Sequence, residues 1–178
     1  MAIIVRPVVE EDILQIILLI AQLRGPTPAP EQMEAVGNVY RAMQEDPNQF
    51  TRVAEIEGQI VGVMLGQLRP RGNWLTPELW IADLAVTDNG WRRGAGHALV
   101  KEALSIAAGW QCHQVVIETA REDRSVQNLL RSFDFEFASR TFVQDLVTPT
   151  SANELLGVTA EASTPQSGVP LVVYDLGV

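Results

Sequence analysis

Residues 86–99 read VTDNGWRRGAGHAL, and the interpretation of the whole chain starts from this stretch. Directly before it, residues 78–86 read ELWIADLAV, an apolar run that predicts a long buried strand. From Arg93 to Ala108 apolar residues recur at helical spacing, with Leu99 among those expected to face a core. The stretch therefore predicts a strand, a glycine loop and a helix in direct succession.

The glycine loop has the features of a phosphate-binding site. The first turn of a helix offers free N–H groups and the positive end of the helix dipole, and both attract anions. Gly94 and Gly96 have no Cβ, which lets phosphate oxygens approach the backbone, and Arg92 and Arg93 add positive charge. We expect the diphosphate of a ligand to be held by Arg92, Arg93, Gly94, Ala95, Gly96 and His97.

Two other phosphate-binding designs fit the loop less well. The P-loop pattern GxxxxGK[ST] is absent from the chain. The dinucleotide fingerprint GxGxxG requires a third glycine where this chain has Leu99. Glu118, at the end of the next predicted strand, does stand where a ribose-binding acid is found. A dinucleotide-binding oxidoreductase therefore remains the less favoured alternative.

The rest of the chain alternates between predicted strands and helices. A tight turn at Glu57-Gly58 joins two apolar runs and predicts a β-hairpin. The order of elements predicts an α/β domain over residues 1–178, with a mixed sheet and helices on its faces. The predicted strands are residues 3–8, 50–57, 59–68, 78–86, 114–119, 135–147 and 171–176, and the helices are 13–23, 31–44, 93–108 and 124–133. Residues 148–170, rich in Ser, Thr, Pro and Ala, predict a flexible insertion before the last strand.

Composition narrows the range of partners. The chain has 178 residues, 47% of them hydrophobic, and a formal net charge of −9, which argues against nucleic acid as a partner. An acidic surface attracts cationic small molecules or basic proteins, or simply keeps the protein in solution. The length suits one domain with its own core.

Cysteine and histidine usage predicts neither disulfides nor a metal. Cys112 is the only cysteine, which is consistent with a reducing cytoplasm. His97 and His113 have no acid or cysteine at ligand spacing, so no metal is expected. Residues 13–23 are almost wholly apolar but fall short of the roughly 20 residues that span a bilayer. We expect no membrane contact and predict that a lid or a second subunit, as in a homodimer, buries this helix.

Three segments carry a resemblance to a known family. The strand end Leu84-Ala85-Val86 precedes Gly94 and Gly96 in the pattern L-x-V followed by [Q/R]-x-x-G-x-[G/A], with Trp91 at the first signature position. Residues 54–66 read AEIEGQIVGVMLG, and residues 118–137 read ETAREDRSVQNLLRSFDFEF. Up to about Val147 the chain resembles the GCN5-related N-acetyltransferase (GNAT) superfamily. The resemblance implies a mostly antiparallel mixed sheet of about six or seven strands with about four helices.

The resemblance also implies an activity and its residues. It predicts transfer of acetyl from acetyl-CoA, as co-substrate, to a primary amine of a small molecule or peptide by direct attack in a ternary complex. The backbone N–H of Val86 or Ala85 is the expected oxyanion donor. Asp83, a lone acid in an apolar strand, is the expected base, with Glu78 and Glu118 as runners-up. Besides the loop, the expected coenzyme-binding residues are Leu84, Ala85, Val86, Asp123 and Ser125.

The last of these segments departs from the family pattern where chemistry is concerned. Leu130 stands where many members have a tyrosine that protonates the departing thiolate, and leucine cannot donate a proton. Asp123 stands at the usual asparagine and Asp134 at the usual glycine, while Phe135 is retained. A degenerate protein that binds or senses acyl-CoA without turnover is therefore the main alternative to an enzyme.

Overall fold

A five-stranded sheet organises residues 2–118 and 124–138, which are the residues that the computed structural model describes. Strands β1 to β4 pair antiparallel in chain order, and β5 joins β4 in parallel. The strands are β1 Ile4–Pro7, β2 Gln49–Ile56, β3 Gln59–Arg69, β4 Glu78–Val86 and β5 Gln114–Ile117. The helices are α1 Ile13–Arg24, α2 Met33–Glu45, α3 Asp88–Arg92, α4 Ala95–Gly109 and α5 Arg124–Arg131, and single 3-10 turns at Glu10–Asp12 and Pro30–Gln32 lead into α1 and α2.

The predicted fold class is confirmed, with differences in the number of elements. The described ranges contain five strands and five α-helices, against the six or seven strands and four helices expected. The predicted strand 135–147 does not begin at Phe135, because residues 135–138 have no regular structure. Its remainder, the insertion 148–170 and the strand 171–176 lie outside the described residues. All described residues belong to one compact unit, Met1–Ala138, so a single domain over the whole chain stays a prediction.

Helices cover both faces of the sheet. On one face, Ile16 and Leu19 of α1 pack with Val63 of β3 and Ala85 of β4. On the other, Leu99 of α4 and Val126 of α5 pack with Leu79 and Ile81 of β4. Buried apolar side chains are the main stabilising term of such a layered fold. Successive side chains of β4 therefore contribute to two different cores.

The hairpin between β2 and β3 has the predicted tight turn. Glu57 and Gly58 both have positive φ, 54° and 79°, as a two-residue type I′ turn requires. An extra residue in β3, Val61, produces a bulge, because Ala54 pairs with Gly62 while Glu55 pairs with Ile60. The Val61 carbonyl then becomes an acceptor for the segment that leaves β4.

The segment after β4 was wrongly predicted to be a loop. Thr87 caps a five-residue helix, α3, by accepting a hydrogen bond from the Gly90 N–H at 3.0 Å. Gly94, with φ of 86°, then breaks the helical path, and α4 begins at Ala95 instead of Arg93. Apolar periodicity did not predict α3 because a single turn is too short to display it.

Helix α5 ends in a left-handed residue that is not glycine. The Phe135 N–H donates to the Leu130 carbonyl at 3.1 Å and the Asp134 N–H to the Arg131 carbonyl at 3.1 Å, which is the Schellman arrangement. Asp134 has φ of 62°, so the backbone keeps the shape that the family's glycine would give it. Aspartate tolerates this region better than most residues, yet at a cost that glycine avoids.

We therefore predict that Asp134→Gly stabilises the protein. The free energy of unfolding is expected to rise by about 0.5–1 kcal/mol because glycine has no Cβ strain at positive φ. Urea denaturation followed by circular dichroism measures the change. The matched control is Asp134→Ala, which removes the same carboxylate but keeps a Cβ and should lower stability. Equal effects of the two substitutions would contradict the backbone explanation.

Candidate functional site

The N-terminus of α4 presents backbone amides without acceptors. The Gly94 N–H donates to the Trp91 carbonyl at 3.1 Å, and the Gly94 carbonyl accepts from the Ala98 N–H at 3.1 Å. In the described part of the chain, nothing accepts a hydrogen bond from the three intervening amides, and no side chain caps the helix. These amides belong to Ala95, Gly96 and His97. Helix α4 is 15 residues long, so its dipole adds to the attraction for an anion at this end.

Gly96 has a packing role that the sequence did not predict. A Cβ built on Gly96 would lie 2.7 Å from the Trp91 ring and 3.1 Å from Leu129. The missing side chain makes room for α3 and α5, and the Gly96 N–H has no acceptor in the described residues. Trp91, the departure from the family signature, is thereby explained as a packing residue beneath the helix N-terminus.

The two arginines of the loop differ in their surroundings. Arg93 is half-buried, and its Nη1 lies 3.8 Å from Oε2 of Glu57 in the β2–β3 turn. Arg92 is exposed at the end of α3. Arg93 therefore ties the loop to the hairpin, while Arg92 is the more accessible positive charge.

The other predicted coenzyme residues lie on several elements. The His97 ring packs against Phe133 with centroids 4.3 Å apart, which links α4 to the end of α5. Ser125 is exposed in the first turn of α5. Asp123 lies outside the described residues.

At the end of β4, one amide points away from β3, at a position beyond the end of the β5 ladder. The Thr87 N–H donates to the Val61 carbonyl of β3 at 2.9 Å. Because N–H groups alternate in direction along a strand, the Val86 N–H points away from β3, toward the side on which β5 pairs. The ladder between β4 and β5 ends at Ile81 and Ile117, with a last bond from the Glu118 N–H to the Ile81 carbonyl at 3.1 Å. The orientation of the Val86 amide suits the oxyanion role that the resemblance implies.

Asp83, the candidate base, follows a bulge in β4 and lies on the opposite face of the strand from Leu84 and Val86. Leu65 pairs with Asp83 and Gly66 with Ile81, so Ala82 is an extra residue. Leu84 and Val86 belong to the core under α4, whereas Ala85 packs with α1 on the other face. Asp83 shares the face of Ala85, since side chains two apart in a strand point the same way.

Sequence reasoning missed Tyr40 of α2, which packs against the α1 face of the sheet and lies within electrostatic range of Asp83. Burial raises the pKa of Tyr40 to about 12, and the negative charge of Asp83 adds to the effect. The phenol therefore stays protonated at neutral pH and is a potential hydrogen-bond donor on the face of the sheet that carries the candidate base. The sequence showed Tyr40 only as an apolar-face residue of a helix, and nothing in that pattern indicates a neighbour 43 positions away.

The two runner-up acids have other partners. Glu78 is 3% exposed, and its Oε2 accepts from Nε2 of Gln114 at 2.7 Å and lies 3.5 Å from Nε of Arg71. Glu118 is exposed and accepts from Nε1 of Trp80 at 3.1 Å. These contacts assign Glu78 to holding β4, β5 and the loop after β3 together.

Two tryptophans and Leu130 are held by packing contacts. Trp74 stacks on His113 with centroids 4.4 Å apart, and Trp80 lies under the guanidinium of Arg69. Leu130 is 8% exposed and belongs to the core under α4. The leucine at the usual tyrosine position thus contributes packing.

The described residues contain neither a metal-ligand cluster nor a membrane-spanning helix. No group of three or more His, Cys, Asp or Glu residues in the described ranges is arranged to hold a metal ion. None of the helices described is both long and apolar enough to cross a membrane.

The contact of Gly96 with Trp91 predicts a double-mutant result. Gly96→Ala should lower the free energy of unfolding by about 1–3 kcal/mol, because the new methyl overlaps the indole ring. Trp91→Leu removes that ring, so the added cost of Gly96→Ala should shrink in the double mutant. Thermal or urea unfolding of the four proteins measures the coupling, and strictly additive effects would contradict the contact.

Comparison with solved structures supports the fold. A putative acetyltransferase from Agrobacterium tumefaciens is 24% identical, with 80% of this chain and 99% of that chain covered and a TM-score of 0.71. Glucosamine-6-phosphate N-acetyltransferase from Arabidopsis thaliana is 14% identical, with coverage of 83% and 100% and a TM-score of 0.71. AAC(6')-Iy, solved with a CoA bisubstrate analogue, is 16% identical, with coverage of 83% and 100% and a TM-score of 0.68.

A family model decides the classification. No curated protein sequence matches the chain significantly. The model described as the acetyltransferase (GNAT) family matches residues 17–135, which run from α1 to the end of the left-handed turn after α5. The chain belongs to the acetyltransferase (GNAT) family.

Proposed function

We propose that the protein is an N-acetyltransferase that moves the acetyl group of acetyl-CoA to a primary amine in a ternary complex. The observation that carries this proposal is the group of acceptor-less amides on Ala95, Gly96 and His97. They follow directly on β4 and α3, at the N-terminus of a 15-residue helix. This is the site where a diphosphate gains most from N–H donors and the dipole.

The proposed coenzyme site extends from the loop to β4. The diphosphate accepts from the amides of α4, with Arg92 and Arg93 supplying positive charge. The pantetheine arm runs along the β5 side of β4, beyond the end of the β4–β5 ladder, beside Leu84, Ala85 and Val86. Ser125 and Asp123 are proposed to lie along the same ligand.

The proposed reaction transfers the acetyl group without a covalent enzyme intermediate. Asp83 takes a proton from the acceptor ammonium, and the neutral amine attacks the thioester carbonyl carbon. A C–N bond forms while the carbonyl oxygen becomes an oxyanion that accepts from the Val86 N–H. The C–S bond then breaks, coenzyme A leaves as thiolate, and the nitrogen loses its second proton to give the amide.

The departing thiolate is proposed to take its proton from solvent. Leu130 is buried in the core and has no proton to give. A thiol has a pKa of roughly 8.5, so the thiolate is a tolerable leaving group without an acid. Loss of general-acid help costs about 10²- to 10⁴-fold in rate, which predicts a slow enzyme.

The acceptor is proposed to approach from the α1–α2 face. Asp83 and Tyr40 lie on that face, opposite the core of α4. AAC(6')-Iy was solved with an acetylneamine analogue, and glucosamine-6-phosphate N-acetyltransferase is named for an amino sugar, which favours a small-molecule amine. The single cysteine of this chain, Cys112, supports the proposal of a cytoplasmic location. A homodimer through the exposed Leu14 and Leu18 of α1 remains a prediction.

The test of this proposal is acetyl transfer by wild type and Asp83→Asn. Thiol release from acetyl-CoA is measured with a panel of primary amines, and the acetylated product is identified by mass spectrometry. Asp83→Asn should lower kcat/KM by about 10²-fold or more at neutral pH. The deficit should shrink as pH approaches the acceptor pKa, roughly 10, because solvent then deprotonates the amine.

Glu102→Gln is the matched control, since Glu102 on α4 pairs with Arg52 and is remote from Asp83. It should keep the wild-type pH profile. An Asp83→Asn protein with an unchanged pH–rate profile would remove Asp83 from the mechanism. A wild type that binds acetyl-CoA but acetylates no amine would favour the binding-only alternative.

A further inference from the structure

Arg69 is a half-buried cation that pairs with none of the carboxylates described by the structure. Its guanidinium carbon lies 3.2 Å from the centroid of the Trp80 ring, and its Nε makes a long bond of 3.4 Å to Oε1 of Gln67. The chain carries 22 acidic residues against 13 basic ones, so acids are plentiful. Within residues 2–118 and 124–138, no ion pair of Arg69 exists.

Two acids adjoin Arg69 or the Trp80 ring beneath it, and both have other hydrogen-bond partners. Glu118 accepts from Nε1 of Trp80 at 3.1 Å. Glu78 is the register partner of Arg69 across the β3–β4 ladder. Its Oε2 instead bonds Nε2 of Gln114 and pairs with Nε of Arg71 at 3.5 Å. Arg69 is thereby left on the face of an indole, which holds a guanidinium in place without satisfying its N–H donors.

Arg69 shares a face of the sheet with Asp83. Leu65, the partner of Asp83, packs under α1. Because residues two apart in a strand point to the same face, Gln67 and Arg69 lie on the same face as Leu65. Trp80, whose ring lies under the guanidinium of Arg69, pairs with Gln67, two residues along β3 from Leu65. Two residues of strand correspond to roughly 7 Å. Arg69 itself is four residues from Leu65, roughly 13 Å along the strand, with its guanidinium on the Trp80 ring, so a positive and a negative group share the proposed acceptor face about 7 to 13 Å apart.

We propose that the acceptor is a primary amine that also carries a carboxylate, with Arg69 binding the carboxylate while the amine lies at Asp83. This inference rests on the proposed function and adds the class of acceptor to it. A planar guanidinium with free N–H groups binds a carboxylate in the bidentate manner. The separation of the two groups favours acceptors whose amine and carboxylate are several bonds apart, such as a basic amino acid with a terminal side-chain amine.

The test compares acceptors that differ only in the carboxylate. L-Lysine is compared with cadaverine and L-ornithine with putrescine, with wild type, Arg69→Gln and Arg69→Lys as enzymes. Wild type should show a KM for the amino acid at least about tenfold below that for the diamine. Arg69→Gln should raise the KM of the amino acid by about tenfold with kcat and the KM of the diamine nearly unchanged. Arg69→Lys should lie between, since it keeps the charge but not the planar fork.

Three outcomes would overturn the inference. Diamines used as well as amino acids by wild type would show that no carboxylate is recognised. Equal losses for both acceptors in Arg69→Gln would assign Arg69 to packing on Trp80. Transfer to none of the four amines, with acetyl-CoA still raising the Tm, would remove this acceptor class. In that last case, transfer to any other amine would leave the proposed function intact. Failure of the acceptor class can therefore be distinguished from failure of the proposed function.

Discussion

The structure around the site depends on the Val61 carbonyl of β3. It accepts from both the N–H and the Oγ1 of Thr87, at 2.9 and 3.2 Å, just where the chain leaves β4. Thr87 Oγ1 also accepts from the Gly90 N–H, so one side chain ends the strand and caps α3. A Cβ on Gly90 would lie 2.7 Å from that carbonyl, which explains why a glycine stands there. The direction of the Val86 amide and the position of α4 both follow from this junction.

Packing then fixes the helix that follows. Trp91 fills the space that Gly96 leaves open, and Leu129 of α5 closes it from the other side. Gly94, at φ of 86°, makes the sharp change of direction between α3 and α4. The amides at the start of α4 are therefore held by buried contacts rather than by a mobile loop, which is the preorganisation that an anion site needs.

Much of this architecture could be predicted from the sequence because it depends on short-range sequence patterns. The Glu57-Gly58 turn, the apolar run of β4 and the periodicity of α4 each rest on local rules of backbone or burial. The helix N-terminus that is proposed to bind phosphate could be located for the same reason, since a strand, glycines and a helix follow one another directly.

The parts that could not be predicted depend on long-range contacts. The packing role of Gly96 requires Trp91 and Leu129 to be brought together in space, which no local pattern indicates. Tyr40 beside Asp83 and Arg69 on Trp80 join residues from different elements. Leu130 was assigned to the reacting sulfur from the family pattern, whereas its burial in the core under α4 explains the leucine by packing.

The central claim is that the start of α4 binds the diphosphate of coenzyme A, and calorimetry on a pair of variants at Gly94 tests it most directly. Gly94→Asp and Gly94→Asn have nearly the same shape and share any strain at positive φ, but only the first adds a negative charge beside the amides. Coenzyme A should bind Gly94→Asp at least about tenfold more weakly than Gly94→Asn, a difference of about 1.4 kcal/mol. Pantetheine, which lacks the diphosphate, should not distinguish them. Equal affinities of the two folded variants for coenzyme A would contradict the account.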